Sequence, residues 1–131
     1  MFLLDTNTCI ALLKRNPVVM GHLVQHQPSD IAMCSVVKAE LYFGARKSQL
    51  VANNLVRLGK FFRPYKSYSF DDPASETCGM IRADLERSGT PIGANDLLIA
   101  SVAKTFDLTL VTHNTGEFSR VVGLRLKDWE I

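Results

Sequence analysis

The sequence predicts an α/β fold with a mostly parallel central sheet. Three short, uncharged and mainly apolar runs, at residues 2–4, 31–34 and 108–112, are typical of strands buried on both faces. Longer segments with apolar residues at helical spacing lie between them. Strands that alternate with helices in this way form parallel sheets. The chain has 131 residues, which suits one domain, and we expect a single domain over residues 1–131.

The helices predicted in the first half of the chain have recognisable starts. Thr6, Asn7 and Thr8 are good caps for the first helix, and Pro17 suits the first turn of the second. Ser35 is a cap for the third helix. The predicted elements are a strand at 2–4, helices at 9–14 and 17–26, a turn at 27–30, a strand at 31–34, and helices at 36–47 and 50–62.

The second half begins with a clear helix start, because Asp71 and Asp72 precede Pro73. The glycines Gly89 and Gly93 mark a loop before the next helical stretch. The predicted elements are an edge strand at 65–70, a helix at 73–87, a loop at 88–93, a helix at 95–106, a strand at 108–112, a turn at 113–116 and a final strand at 124–126.

Composition excludes several classes of protein. A net charge of +2 permits a nucleic-acid partner but requires a local basic surface. The three cysteines, Cys9, Cys34 and Cys78, include no Cys-x-x-Cys pair, which argues against a disulfide framework or a zinc site. We expect buried free thiols in a cytoplasmic protein. No apolar run approaches the roughly 18 residues of a membrane span, and the first residues do not resemble a signal peptide.

Four carboxylates stand where apolar surface is expected: Asp5, Glu40, Asp96 and Glu117. Asp5 ends the first strand, and Glu117 follows the strand at 108–112. At 100° per residue, Glu40 and Asp96 fall on the apolar arcs of their helices. Burial of an unpaired charge is costly, and a divalent cation would compensate four acids that the fold brought together. This pattern predicts a metal-dependent enzyme acting on phosphate esters.

Each acid also has a simpler interpretation. Asp5 could cap the first helix, and Asp96 could be an acid favoured by the dipole at a helix start. Glu40 could be a solvated helix residue, and Glu117 could be a surface acid at the start of a short helical turn. The apolar arcs already favour the site for Glu40 and Asp96, whereas Asp5 and Glu117 suit either interpretation.

Hard oxygen donors surround the predicted site. The hydroxyl and amide side chains expected near the strand ends are Thr6, Asn7, Ser35, Thr112 and Asn114. Each taken alone suits capping or turn formation, but together they form a polar shell. Carboxylates without clustered thiolates or imidazoles suit Mg²⁺ or Mn²⁺ rather than zinc. We therefore expect Asp5, Glu40 and Asp96 to bind the ion, with Glu117 as a fourth catalytic acid. The sequence has neither the glycine-rich loops that bind nucleoside triphosphates and dinucleotides nor the Gly-x-Ser-x-Gly motif of serine hydrolases.

These residues lie in four segments that resemble motifs of the PIN-domain ribonucleases, and within that family the VapC toxins of type II toxin–antitoxin pairs. The segments are residues 2–10 with Asp5, residues 35–44 with Glu40, residues 89–100 with Asp96, and residues 110–118 with Glu117. The tail at 123–129 also matches, so the resemblance spans the chain. In one departure, many PIN domains have an aspartate where this chain has Asn114. That departure leaves open which of Asn114 and Glu117 completes the site and whether a second ion binds.

The resemblance implies a compact three-layer α/β/α sandwich and Mg²⁺- or Mn²⁺-dependent cleavage of structured RNA, with transfer RNA weakly favoured. It also implies a homodimer and a small VapB-type antitoxin whose tail covers the active site. Operator DNA would then be bound only through the antitoxin. The helices around residues 36–43 and 50–62 are the best candidates for a groove that takes the apolar residues of that tail.

Two other functions remain open at this point. A PIN-like fold could serve as a catalytically silent RNA-binding or interaction module, which loss of Asp5, Glu40 or Asp96 would favour; none is lost. A phosphatase with Asp5 as nucleophile generally needs an aspartate two residues later, where this chain has Asn7. For RNA contacts, the candidate basic residues belong to the helix that carries Glu40 and the helix that follows Asp72: Arg46, Lys47, Arg82 and Arg87.

Overall fold

A five-stranded, wholly parallel sheet forms the centre of the computed structural model, which describes residues 1–131. The strands are β1 (Phe2–Leu4), β2 (Ile31–Cys34), β3 (Lys66–Tyr68), β4 (Thr109–Val111) and β5 (Leu126–Lys127), in the order β3-β2-β1-β4-β5. Every adjacent pair is parallel. The register of β1 and β4 places Leu4 opposite Val111. The predicted α/β class is confirmed, and the edge strand predicted around residues 65–70 is β3.

Seven helices flank this sheet. They are α1 (Thr6–Leu13), α2 (Pro17–Leu23), α3 (Ser35–Arg46), α4 (Val51–Phe62), α5 (Asp72–Arg87), α6 (Ala94–Thr105) and α7 (Thr115–Phe118), with a 3₁₀ turn at Pro28–Asp30. The chain steps one way from β1 through β2 to β3 and then back through β4 to β5. Since such crossovers are right-handed, α1 to α4 cover one face and α5 to α7 the other.

The core lies on both faces of the central strands. Leu3, Leu4, Leu110 and Val111 are inaccessible to solvent, which explains why these strands are continuous apolar runs. From the helices, the core takes small and branched side chains such as Val37. None of the helices combines the length and hydropathy that a bilayer crossing requires.

The start of α1 differs from the prediction. The helix begins at Thr6 rather than residue 9, and its cap is Asp5, whose Oδ1 accepts a hydrogen bond from Thr8 N at 2.8 Å. The predicted capping role of Thr6, Asn7 and Thr8 is therefore wrong, and the alternative prediction that Asp5 caps this helix is confirmed. Asp5 has the extended backbone of a cap residue and follows β1 directly, whereas Thr6 and Thr8 are already inside the helix. The Asp5 carboxylate is therefore the side chain placed to accept from the first turn.

Several other boundaries also move. Ser35 is inside α3 rather than its cap, and its hydroxyl accepts a hydrogen bond from Phe70 N at 3.3 Å. The second helix ends at Leu23, because the amides of Gln25 and His26 bond three residues back, which tightens the last turn. The predicted turn at 113–116 overlaps the start of α7, and the last strand is β5 rather than residues 124–126. Cys9 and Cys34 are buried free thiols as expected, whereas Cys78 is only partly buried.

Candidate active site

Asp5 lies at the point of the sheet where ligands usually bind. The chain leaves β1 in one direction and reaches β4 on its other side, and open α/β sheets bind ligands beyond the strand ends at such a switch point. Asp5 follows β1 directly, and its amide donates to Val111 O at 3.1 Å. Its side chain is buried and caps α1 through one oxygen. Capping and a place in an acidic site are therefore compatible in this residue.

Glu40 is held next to this strand end by a threonine. Thr6 Oγ1 donates to Glu40 Oε2 at 2.5 Å, and α1 packs against α3. Val37 and Leu41 are buried on the same side of α3, and Glu40 itself is half-buried. The arc around Glu40 is less buried than predicted, because Phe43 is 65% exposed. Glu40 therefore lies at the edge of the buried stripe, where a carboxylate can meet both the site and solvent.

Asp96 is a half-buried acid in the first turn of α6. Its pKa is raised from 3.8 to about 6, first by burial and then by the charge of Glu117 and a hydrogen bond with it. The charges of Asp5 and Glu40 raise the pKa further. The other three predicted acids, each from a separate segment, therefore lie close enough to Asp96 to affect its ionisation.

Glu117, in α7, has both carboxylate oxygens fixed by hydrogen bonds. Gly93 N donates to Oε1 at 2.6 Å, and Asn114 Nδ2 donates to Oε2 at 2.6 Å. The pKa of Glu117 is lowered, chiefly by the Gly93 amide and also by Asn114 and Asp96, against an opposing effect of burial. Asn114 therefore presents its amide nitrogen to Glu117. In this geometry Glu117 faces Asp96, and Asn114 orients Glu117.

The predicted polar shell is only partly assembled around the acids. Thr6 contacts Glu40, and Asn114 contacts Glu117. Thr112 is buried, and its Oγ1 accepts a hydrogen bond from Asn114 N at 3.0 Å, which supports the turn that carries Asn114. Asn7 is exposed in the first turn of α1, and Ser35 is bonded to Phe70 instead. Of the predicted shell, Thr6 and Asn114 therefore bond to the acids directly, and Thr112 supports Asn114.

The donor set fits a hard divalent cation. Carboxylate oxygens predominate, and the pKa of Asp96 is raised first by its burial and then by the charges of the three neighbouring acids. The nearby Cys9 thiol stays neutral, since burial above all, and then the charge of Asp5, raises its pKa well above the ordinary value. With oxygen donors and without a thiolate, the set matches the preferences of Mg²⁺ and Mn²⁺.

Sequence reasoning missed some of the supporting contacts. The Gly93 amide holds Glu117, and Arg120 Nη1 donates to Pro91 O at 2.9 Å, which ties the end of α7 to the same loop. These contacts join segments that are distant in sequence and involve backbone atoms, so no residue pattern indicates them. The i, i+3 spacing of Asn114 and Glu117 was the one visible signal.

A groove of about 310 Å³ runs between α1, α3 and α4, as predicted for the helices around residues 36–43 and 50–62. Its apolar floor includes Ile10, Leu41 and Leu58, and Glu40 lines it as well. Further lining residues are Leu13, Lys14, Gly44, Ala45, Asn54 and Arg57. The groove thus leads from an apolar helix surface to one of the four acids.

The predicted basic residues do not form one patch of free cations. Arg82 pairs with Glu86 at 3.3 Å, and Arg87 pairs with Asp84, both within α5. Lys47 lies over the ring of Phe43 at the end of α3, 4.9 Å from its centroid. Since exposed ion pairs are weak, the arginines stay available to a stronger anionic partner, and their role in RNA binding stays a prediction.

Comparisons with known proteins agree with this geometry. A family model described as PIN domain matches residues 2–124. The chain is 39% identical to the tRNA(fMet)-specific endonuclease VapC of Shigella flexneri, over 98% of this chain and 97% of that protein. The DNA-bound VapBC structure from Salmonella typhimurium superposes with a TM-score of 0.92 at 36% identity, covering 98% and 97% of the two chains. VapBC2 from Rickettsia felis, bound to a promoter DNA fragment, gives 0.89 at 34% identity, covering 98% of each chain.

Proposed function

The chain belongs to the PIN-domain family, among the VapC ribonucleases, and we propose that it is a metal-dependent endoribonuclease toxin that cleaves transfer RNA. Residues 1–131 form its single PIN domain in this proposal. The observation that carries the activity is the meeting of Asp5, Glu40, Asp96 and Glu117 at the switch point of the sheet, with the pKa of Asp96 raised to about 6. A silent binding module would have no need to keep four mutually repelling acids.

In the proposed site, Asp5, Glu40 and Asp96 hold one Mg²⁺ or Mn²⁺, and Glu117 is the fourth acid. A bound ion of this kind activates water and neutralises charge on the scissile phosphodiester. The Thr6 hydroxyl fixes the orientation of Glu40, and the Gly93 amide and Asn114 fix Glu117. Without a cation, Asp96 retains a proton up to about pH 6, whereas the pKa of Glu117 is lowered.

Transfer RNA is the proposed substrate because the Shigella flexneri relative, 39% identical over nearly the whole chain, is named for cleavage of tRNA(fMet). The direct test is incubation of purified, antitoxin-free protein with transcribed tRNA(fMet), followed by mapping of the new RNA ends. We expect cleavage at few positions, its loss in EDTA and its recovery with Mg²⁺ or Mn²⁺. Folded protein that binds tRNA(fMet) without cutting it, with either ion present, would favour the silent module.

The proposed partner is a small VapB-type antitoxin, since the structural relatives are VapBC complexes. The groove between α1, α3 and α4 suits an amphipathic tail with apolar anchors. Because Glu40 lines the groove, a tail with a cationic residue at its end could pair with the acids and exclude the metal ion. Operator DNA would be bound through the antitoxin, and a toxin homodimer would carry two such tails.

The proposed RNA surface includes Arg46, Lys47, Arg82 and Arg87. All four are exposed, and the arginines of α5 are paired only with acids of their own helix. Each true phosphate contact should contribute about one unit to the dependence of log affinity on log salt. If the dependence of log affinity on log salt is unchanged after all four are neutralised, RNA binds at another surface.

A further inference from the structure

His113 lies at the same edge of the sheet as the carboxylate cluster but is not part of it. Leu4 is opposite Val111, so Asp5 is level with Thr112, and His113 is the next residue of that segment. Thr112 N also donates to Lys127 O at 2.8 Å, which brings the residues after β5 alongside. The carboxyl ends of β1, β4 and β5 therefore place His113 between Asp5 and the C-terminal segment.

Two acids of that segment hold the imidazole ring. His113 Nδ1 is 2.9 Å from Asp128 Oδ2 and 4.0 Å from Glu130 Oε2. The Asp128 side chain is only 12% exposed, and its other oxygen accepts a hydrogen bond from Glu130 N, so the acceptor is fixed. The His113 side chain is 60% exposed. With Nδ1 turned towards Asp128, Nε2 makes no hydrogen bond within the chain and remains open to solvent.

The four clustered acids repel an RNA backbone, so binding there requires positive charge close by. Arg120, the basic residue whose charge acts on Glu117, already donates to Pro91 O. We propose that His113, held by Asp128 and Glu130, is an RNA-binding residue whose Nε2 contacts a backbone phosphate beside the carboxylate cluster. This inference rests on the proposed ribonuclease function and assigns one substrate contact to it.

The surrounding charges favour the cationic form of His113. Its pKa is raised from 6.5, first by the hydrogen bond with Asp128, then by the charges of Asp128 and Glu130 and, more weakly, of Asp5. Burial has a small opposite effect. The positive charge is present below the raised pKa and is lost as pH rises through it. RNA affinity should therefore fall with rising pH in that interval.

The test is steady-state cleavage of transcribed tRNA(fMet) by His113→Gln, His113→Arg and Asp128→Asn, between about pH 6 and pH 8. For His113→Gln we expect KM to rise about fivefold at the lower pH while kcat changes little, as the loss of one exposed charge contact predicts. Its salt slope should fall by about one unit. His113→Arg should restore affinity and make KM independent of pH over this range. Asp128→Asn should shift the pH dependence of KM to lower pH.

Lys66→Gln is the matched control, because it removes one exposed charge from β3, the outer strand on the side of the sheet opposite β5. The inference is wrong if KM and its pH dependence are unchanged in folded His113→Gln protein, or if His113→Arg fails to restore affinity. It is also wrong if the variants change only the concentration of Mg²⁺ or Mn²⁺ required, since that result would make the three residues a cation site. Failure of the wild-type protein to cleave or bind any RNA would instead refute the proposed function.

Discussion

Asp96 and Glu117, on different helices, are neighbouring acids at the carboxyl edge of the sheet, and their pKa values are shifted in opposite directions. The pair is asymmetric, since Gly93 and Asn114 donate to Glu117 and favour its charged form. Asp96 is instead partly buried among acids, and its pKa rises to about 6. Glu117 is thus an anion held by two hydrogen bonds from the chain. Asp96 keeps its proton until a bound cation or a pH above about 6 removes it.

The first prediction concerns the stability of the metal-free protein. The folded pKa of Asp96 exceeds its ordinary value of 3.8, so its contribution to stability is present below about pH 4 and is lost as pH rises through about 6. In EDTA, Asp96→Asn should therefore become more stable than wild type as pH rises from about 4 to 6, with a constant difference above. Urea denaturation across this range measures it. Glu76→Gln, at an exposed position of α5, should show no such trend.

The second prediction separates the two roles of Asp5. Asp5→Asn retains an oxygen that can accept from Thr8 N but removes the charge, so cleavage should be lost while the fold survives. Asp5→Ala should also lose cleavage and be about 1 kcal/mol less stable than Asp5→Asn, because the cap of α1 is gone. RNA cleavage and urea denaturation on both variants give the comparison. Near-normal cleavage by folded Asp5→Asn would leave Asp5 with the capping role alone.

The third prediction concerns Thr6. Thr6→Val removes the hydrogen bond to Glu40 Oε2 at nearly constant volume, whereas Thr6→Ser retains it. Supporting hydrogen bonds to metal-binding carboxylates are typically worth about 10- to 100-fold in activity or metal affinity. We expect a loss in that range for Thr6→Val and a small effect for Thr6→Ser, measured as activity against Mg²⁺ concentration. Equal activity of the two variants would contradict this role.

The fourth prediction tests whether Asn114 acts through Glu117. Asn114→Ala removes the donor to Glu117 Oε2, and we expect cleavage about tenfold slower. In a Glu117→Gln background the same change should have little further effect, because the residue it orients has lost its charge. A double-mutant cycle on kcat/KM measures the coupling. Additive losses would mean that Asn114 contacts metal or RNA independently.

The fifth prediction concerns the groove between α1, α3 and α4. Gly44 lines it, and a side chain added at Gly44 meets no other atom within 4 Å of its first carbon. Gly44→Tyr should fill the groove, weaken inhibition by the antitoxin and leave the fold intact. Gly59→Tyr on α4 is the control, since Gly59 is equally unobstructed and does not line the groove. Co-purification with the antitoxin and residual RNA cleavage are the measurements, and equal inhibition of both variants would place the tail elsewhere.

The elements of the fold were predictable because their signals are local. The runs at β1 and β2 had to be buried strands, since nothing polar interrupts them, and the run at β4 has only the uncharged Thr109 among its apolar residues. The two acids and the proline at residues 71–73 indicated the start of α5, and its cap is Asp71 as that pattern predicts. The start of α1 was missed because three threonine and asparagine caps compete locally with Asp5. Which of these residues caps the helix depends on where β1 ends and the helical backbone begins.

Residue patterns alone predict the α/β class, the parallel strands and the four acids in apolar surroundings. How those acids affect one another depends on contacts that form only in the folded chain. Three hydrogen bonds join segments that are far apart in the chain: Thr6 with Glu40, Gly93 with Glu117, and His113 with Asp128. Strand order and helix packing set these distances, and hydrogen bonding and charge interaction depend on distance in space rather than on separation in sequence.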